Sequence, residues 1–356
     1  RAERAPSGSV PIRGLHEGVV EVPIADTISA AVEAATQPEP SNTEDSVMRA
    51  FDDLVELPLD MVQPPTEEEA ARLPAGVTLA CLLQPIADTP LIDRLAERGI
   101  AALALERVPR ITRAQSMDVL SSQSTVAGYK AVLLGAAQLG KFLPMLTTAA
   151  GTIAPAKAFV IGAGVAGLQA IATARRLGAV VSAFDVRAVA REQVQSLGAA
   201  FLATDLGGDA EAAGGYAREQ RADERERTLQ AIGGHLPDVD LVITTAQIPG
   251  RPAPLLITAG MVARMRPGAV IVDLAAESGG NCELTRLGET VQVHDVTILG
   301  PVNLPSSVPL HASQMLSRNL ETLVKHLDKD GALHVDPADE ITGAMLLTRR
   351  LVPTTG

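Results

Sequence analysis

The chain has 356 residues, enough for two domains with a sizeable core each. It is aliphatic rather than aromatic (46% hydrophobic, 2% aromatic, no Trp), which suits layered α/β structure. The net charge of −12 arises almost wholly in the first hundred residues, where 18 acids stand against 7 bases, and it excludes a basic nucleic-acid footprint.

In chain order, residues 1–9 are polar and loose, 19–25 form a strand, 28–35 a short helix, and 37–43, with Pro38 and Pro40, a turn. Pro64, Pro65 and Thr66 open a helix whose first turn holds Glu67, Glu68 and Glu69, acids that suit its positive end. A strand over 77–83, an amphipathic helix over 91–98 stopped by Gly99, and a strand over 100–105 give the rhythm of a first α/β domain. Residues 109–124 lack clean periodicity and read as a polar loop carrying Arg110, Arg113, Gln115, Asp118 and Ser121. A helix over 128–140 leads into the second domain.

That domain opens with the stretch that organises the chain, 158–187. An apolar run over 158–161 reads as a buried parallel strand. Gly162, Gly164 and Gly167 follow as G-x-G-x-x-G, with Val165 and Ala166 between the last two. A helix over 168–177 stops at Gly178, a strand covers 180–184, and Asp185 ends it. Three glycines alone are weak evidence; strand, glycines, helix, strand and terminal acid together form the dinucleotide fingerprint in its required context. Gly162 permits the tight turn, Gly164 lets a pyrophosphate approach the backbone, and Gly167 lets the helix close on the sheet. The helix N-terminus offers N–H groups and a positive dipole to the phosphates. Asp185, followed by Val186 and Arg187, would accept hydrogen bonds from ribose hydroxyls and repel a 2′-phosphate, so NAD(H) is expected over NADP(H). Arg187 is the counter-signal, because a nearby Arg can take that phosphate.

Residues 207–223 are rich in Gly, Ala and Glu and read as a long surface segment, with Tyr216 behind Gly214 and Gly215 as a candidate lid. Strands over 241–245 and 269–274 are each followed by a loop, 246–254 and 275–281, at the strand end where such sheets bind ligands. Ala246, Gln247, Ile248 and Gly280 are the candidates there. A last strand over 297–300, a helix over 311–326, a turn over 328–331 and a tail, 339–351, returning to the first domain complete the order. Cys81 and Cys282 form no C-x-x-C pair and the six histidines lack metal-ligand spacing, so neither a disulfide framework nor a metal site is expected. A reducing cytosol is the expected setting, with no signal peptide visible. The apolar region 142–181 is interrupted by Pro144, Pro155, Lys157 and glycines and reads as core, not as a membrane span. The expected fold is α/β: two Rossmann-like domains with a nucleotide cleft between them, the second a doubly wound parallel sheet. Their expected limits are 1–125 plus 310–356, and 126–309.

Residues 109–120, 128–129, 160–168, 214–217, 248–254 and 271–281 together resemble the alpha subunit, the soluble NAD(H)-binding component, of proton-translocating nicotinamide nucleotide transhydrogenase. That family is related to the alanine dehydrogenases. The resemblance spans 54–343 and is densest over 107–281. It implies that Arg110, Gln115, Asp118 and Ser121 hold the nicotinamide end of NADH, with Gln115 reaching both the dihydronicotinamide and the NADP ribose. Tyr129 is implied to stand near that site and Tyr216 to close over bound nucleotide. Gly162, Gly164, Val165, Ala166 and Gly167, then Asp185, Val186 and Arg187, are implied to bind pyrophosphate and adenosine ribose. Ala246, Gln247, Ile248 and Gly280 are implied to lie near the nucleotide.

The implied reaction is direct hydride transfer from NADH to NADP⁺ held by a partner domain, coupled to proton translocation by separate membrane subunits. A homodimer at the inner face of the plasma membrane is implied, without insertion of this chain. Such a transfer needs no general acid or base, so no catalytic Ser-His or His-Asp arrangement is expected. Two alternatives stay open. Residues 1–50 lack the basic-acidic strand and turn with which the family opens, which allows a degenerate NAD-binding paralogue without transfer. An alanine-dehydrogenase-like oxidoreductase is the other, disfavoured because Met61 and Leu82 stand where those enzymes carry a substrate-binding Lys and His.

Overall fold

The computed structural model describes residues 9–13, 19–23, 64–83, 89–203, 221–248 and 251–348, the first two segments as backbone. The expectations for 28–35, 37–43, Met61, Gly214, Gly215 and Tyr216 lie outside the described residues. The chain divides into two compact units, Arg1–Gln123 with Pro309–Gly356, and Ser124–Val308.

In the first unit, β1 (Ser9–Arg13) and β2 (Val19–Pro23) pair antiparallel. Thr66 caps α1 (Glu67–Arg72) reciprocally: its hydroxyl accepts from Glu69 N–H, and the Glu69 carboxylate accepts from Thr66 N–H. β3 (Thr78–Cys81), α2 (Thr89–Glu97) and β4 (Ala101–Ala104) form a parallel β-α-β unit, with Thr78 opposite Ala101. Leu91 and Leu95, one turn apart on α2, are buried with Leu79, Cys81, Ile100 and Ala102.

Residues 109–124 are not a loop. Residues Thr112–Met117 form a 3₁₀ turn, and α3 (Val119–Gln138) starts nine residues before the expected position. Two features hide that helix in the sequence. Its first turn is rich in serine, and its middle holds Gly128 and Gly135. Both glycines serve close packing: a Cβ on Gly128 would collide with the carbonyl of Ala166, and one on Gly135 with Leu241.

In the second unit, β5 (Leu146–Thr148) and β6 (Gly151–Ile153) make a hairpin with no expectation behind it. Around it Phe142 and Met145 are 54% and 62% exposed, so this part of 142–181 is surface, not core. Next come β7 (Lys157–Ile161), α4 (Val165–Arg176), β8 (Val180–Phe184), α5 (Ala188–Ser196), β9 (Ala200–Phe201) and α6 (Ala222–His235). Then follow β10 (Leu241–Thr244), α7 (Ala259–Val262), β11 (Val270–Asp273), β12 (Thr290–Val293) and β13 (Val296–Leu299).

The strands form one seven-stranded sheet in the order β12-β13-β11-β10-β7-β8-β9. The sheet is mixed rather than wholly parallel, because β12 runs antiparallel to β13. The turn between them is His294-Asp295, both with positive φ, and it lacks the glycine that would mark a hairpin. Chain order runs outward from β7 to β9, then restarts at β10 on the other side of β7. The β7/β10 boundary is therefore the switch point, beyond whose carboxyl ends such sheets bind ligands. Helices cover both faces. Val160, Ile243 and Val272 pack with Ala131 of α3 and Ala170 and Ala174 of α4. Phe159, Val242 and Ile271 pack on the other face with Ile232 of α6 and Met261 of α7.

The chain then returns to the first unit. α8 (Pro309–Leu327) leads to β14 (Asp328–Lys329) and β15 (Ala332–Leu333), a hairpin rather than a bare turn. α9 (Glu340–Met345) follows, and Leu346 bridges antiparallel to Leu103 of β4. The Thr348 hydroxyl accepts from Ala102 N–H at 3.0 Å and donates to Ile100 C=O at 2.7 Å. Among the described residues no helix is long and apolar enough to cross a membrane.

Candidate functional site

At the switch point, Gly162 takes φ +96°, a left-handed conformation that an L side chain resists. Its N–H donates to Phe184 C=O at 2.8 Å, and its C=O accepts from the Thr245 hydroxyl at 3.0 Å, which ties the turn to both β8 and the end of β10. A Cβ on Gly167 would collide with the carbonyl of Gly162, so only glycine lets α4 start this close to the strand. A Cβ on Gly164 would meet nothing within 4 Å. Gly164 is the N-cap of α4 and no side chain caps that terminus. The N–H groups of Val165 and Ala166, in the first helical turn, thus open an uncapped positive end beside an approachable backbone. The arrangement fits a pyrophosphate.

Asp185 follows β8 and is buried, 9% exposed. Its Oδ1 accepts from Arg187 N–H and Arg187 Nε, both at 2.9 Å. Its Oδ2 accepts from Ala163 N–H at 2.7 Å and Arg187 Nη2 at 2.8 Å. The carboxylate therefore braces the glycine turn and holds the Arg187 guanidinium. Val186 between them is partly buried against the core.

A second buried carboxylate, absent from the sequence-based candidates, organises the neighbouring loops. Asp273 ends β11 and is fully buried. It accepts from the Thr244 hydroxyl (2.8 Å), Ala275 N–H (3.0 Å), Asn281 N–H (2.8 Å), Cys282 N–H (3.0 Å) and the Thr285 hydroxyl (2.7 Å). Gly280 sits tight beside it, at φ +83°. Asn281, also fully buried, grips the other loop: its Oδ1 accepts from Ala246 N–H (3.0 Å), and its Nδ2 donates to the carbonyls of Ala246 (2.9 Å) and Pro254 (2.8 Å). Gln247 donates to Leu274 C=O, and Ile248 accepts from Arg251 N–H through its carbonyl. The signal for this clamp was an Asp at the end of a buried Val-Ile-Val strand with Asn eight residues on, which no helix or strand period reveals. In the same loop burial pushes the Cys282 thiol up to about 11, and in the first unit burial pushes Cys81 up to about 12, so neither is a thiolate nucleophile near pH 7.

Arg110, Gln115, Asp118 and Ser121 belong to the first unit, Tyr129 and the glycine turn to the second. Arg110 and Gln115 are exposed, and Tyr129 is exposed on α3. Asp118 is the start signal of α3: Oδ1 accepts from Ser121 N–H at 2.9 Å and Oδ2 from the Ser121 hydroxyl at 2.6 Å. The Gln115 turn is pinned from α8 and α9. Asn319 Nδ2 donates to Ser116 C=O at 2.7 Å, and its Oδ1 accepts from the Ser122 hydroxyl at 2.7 Å. Arg113 pairs with Glu340 at 3.1 Å and Asp339 at 3.6 Å. Asp339 caps α9 through Ile341 and Thr342 N–H and meets His326 Nε2 at 3.0 Å. Burial alone would raise the Asp339 carboxyl, but the bonds from Thr342 N–H, His326 and Ile341 N–H outweigh it and hold it well below the usual carboxylate range. Leu82, half-buried, packs against the core of this unit.

The comparisons agree with this architecture. Residues 58–127 match the family described as alanine dehydrogenase/PNT, N-terminal domain, and residues 131–351 match alanine dehydrogenase/PNT, C-terminal domain. In Rhodospirillum rubrum the first part of a divided NAD(P) transhydrogenase subunit alpha is 49% identical over 286 residues, 79% of this chain and 74% of that protein. NAD(P) transhydrogenase subunit alpha of Haemophilus influenzae is 43% identical over 291 residues, 81% of this chain but only 57% of that longer protein. An alanine dehydrogenase of Mycolicibacterium smegmatis is 31% identical over 277 residues, 76% of this chain and 69% of that protein. Among solved structures, a transhydrogenase from Sinorhizobium meliloti superposes with TM-score 0.71 at 44% identity, covering 80% of this chain and 77% of that one. An L-alanine dehydrogenase gives TM-score 0.62 at 26% identity, covering 80% and 73%.

Proposed function

The chain belongs to the alanine dehydrogenase/PNT family, and from that premise we propose that it is the NAD(H)-binding component of a nicotinamide nucleotide transhydrogenase. The observation that carries the reading is the glycine turn at the sheet's switch point, with an uncapped helix end and Asp185 beside it. Gly162, Gly164 and Gly167 hold the pyrophosphate against backbone N–H groups, and Asp185 holds the adenosine ribose. The loop of Ala246, Gln247 and Ile248, kept in shape by Asn281 and Asp273, flanks the nucleotide.

The nucleotide, when bound, supplies the hydride that passes to NADP⁺ on a partner domain. The protein's role is positioning, an effect worth up to roughly 7–11 kcal/mol when reacting groups are well oriented. Gln115 suits that role. Its amide hydrogen-bonds without adding charge, and its backbone turn is fixed by Asn319 and Arg113. Arg110, Asp118 and Ser121 belong to the same segment, and Tyr129 and Tyr216 are the further candidates for contact with the nucleotide. Proton translocation belongs to membrane partner subunits, to which a dimer of this chain attaches at the inner face of the membrane.

The alanine dehydrogenase reading is weaker because Leu82, a half-buried apolar side chain packed against the core, cannot hydrogen-bond or protonate an amino-acid substrate. The deciding experiment adds NADH and a separately purified NADP-binding domain carrying an NADP⁺ analogue, and follows hydride transfer. Transfer supports the proposal. NADH binding without transfer points to a non-catalytic paralogue, and NADH oxidation with pyruvate and ammonia to an alanine dehydrogenase.

A further inference from the structure

The four hydrogen bonds on Asp185 raise a difficulty for ribose binding. A carboxylate offers about four lone-pair positions. All four are engaged, by Ala163 N–H, Arg187 N–H, Arg187 Nε and Arg187 Nη2. A ribose hydroxyl that donates to Asp185 must displace one of them. Ala163 N–H belongs to the glycine turn, and Arg187 N–H heads α5, so neither can leave without unmaking local backbone. The guanidinium is the one donor on a rotatable side chain.

We propose that Arg187 sets the nucleotide specificity of the adenosine-ribose site: its fork on Asp185 yields to the ribose, and the released cation then stands beside the 2′ position. The inference rests on the reading of 158–187 as the NAD(H) site. Two effects follow, with the same sign. The guanidinium, 2.8 Å from Asp185 before it yields, stays tethered two residues away, so the carboxylate repels a 2′-phosphate less than a lone one would. The displaced fork is also a partner for phosphate oxygens. Arg187 therefore softens the preference for NADH over NADPH that Asp185 alone would impose. A merely structural brace would behave differently, since its loss would weaken both nucleotides alike.

The test measures dissociation constants of NADH and NADPH on the full chain by calorimetry, for wild type, Arg187→Ala, Arg187→Gln and Arg187→Lys. Arg187→Ala should weaken NADPH by on the order of tenfold, the effect of one nearby charge in a partly hydrated site, while NADH binding holds or tightens. Arg187→Gln removes the charge but keeps an amide donor, and should shift the ratio in the same direction if the alanine variant does not fold. Arg187→Lys keeps the charge but loses the fork, and should shift the ratio less than either neutral variant does. An unchanged NADPH-to-NADH ratio in the neutral variants, or parallel weakening of both nucleotides, overturns the inference while leaving the NAD(H) reading intact. A wild-type chain that binds neither nucleotide overturns both.

Discussion

Asn281→Ala removes three hydrogen bonds made by a fully buried side chain: one from Ala246 N–H and two to the carbonyls of Ala246 and Pro254. Each buried backbone group left without a partner costs about 1–3 kcal/mol. Partial relaxation of the 246–254 loop recovers some of that, so the expected loss is about 3–5 kcal/mol, a large share of the roughly 5–15 kcal/mol typical of a domain. The measurement is denaturant unfolding, read as a lowered midpoint at unchanged slope. Asn281→Asp separates a polar clamp from simple packing. It conserves volume, yet it sets an oxygen where Nδ2 now faces two carbonyl oxygens at 2.8 and 2.9 Å. If the clamp argument holds, the aspartate variant is at least as unstable as the alanine variant, and both weaken NADH binding by loosening Ala246. An aspartate variant as stable as wild type would refute the reasoning, because it would make the cavity, not the hydrogen bonds, the source of the loss.

Gly167→Ala sets a methyl group against the carbonyl of Gly162; it should abolish NADH binding or unfold the second unit, seen by calorimetry and thermal melting. Asp339, held below the usual carboxylate range, binds fewer protons folded than unfolded, so its contribution is present above about pH 4 and is lost as pH falls further. Asp339→Ala should cost about 1 kcal/mol at pH 7 as a lost helix cap and flatten the acid limb of the stability curve, which unfolding between pH 2 and 7 checks. Gln115→Asn shortens the reach by one methylene and should slow single-turnover hydride transfer by on the order of 10²-fold with little change in NADH affinity. A transfer rate equal to wild type would remove Gln115 from the mechanism.

The regions of the fold that were legible in the sequence are those whose signals are local. β7, the three glycines, α4 and β8 lie in one unbroken run where strand period, turn chemistry and helix stop agree. Thr66 and its three glutamates likewise announced α1. α5 and α6 escaped because they are mostly polar; α6, reading ADERERTLQAIGGH, buries only a few positions and carries two glycines just before its end. α3 was shortened by its own glycines, whose role is contact with Ala166 and Leu241, far away in sequence. The same limit applies to the site. Asp185 was recognisable by its place after β8, but Asn281 and Asn319 act through carbonyls of distant segments, which no spacing displays. That Arg187 turns back onto Asp185 is a matter of rotamer, two residues apart and still invisible in the string.

The bond between Thr348 and Ala102 spans 246 positions. Everything from 124 to 308 is made between its two ends, and that intervening unit holds its own contacts. During synthesis the inserted unit can thus finish first, while β4 waits for its last neighbour to emerge from the ribosome. Until residues 346–348 arrive, the Ala102 edge carries bare backbone donors and acceptors, open to pairing with another chain. Closing so long a gap adds little entropic penalty, since that penalty grows only with the logarithm of length. The exposure is therefore a matter of time rather than of stability: it lengthens with slow translation, and cells that make this chain quickly or shield it while it is made should recover more of it folded.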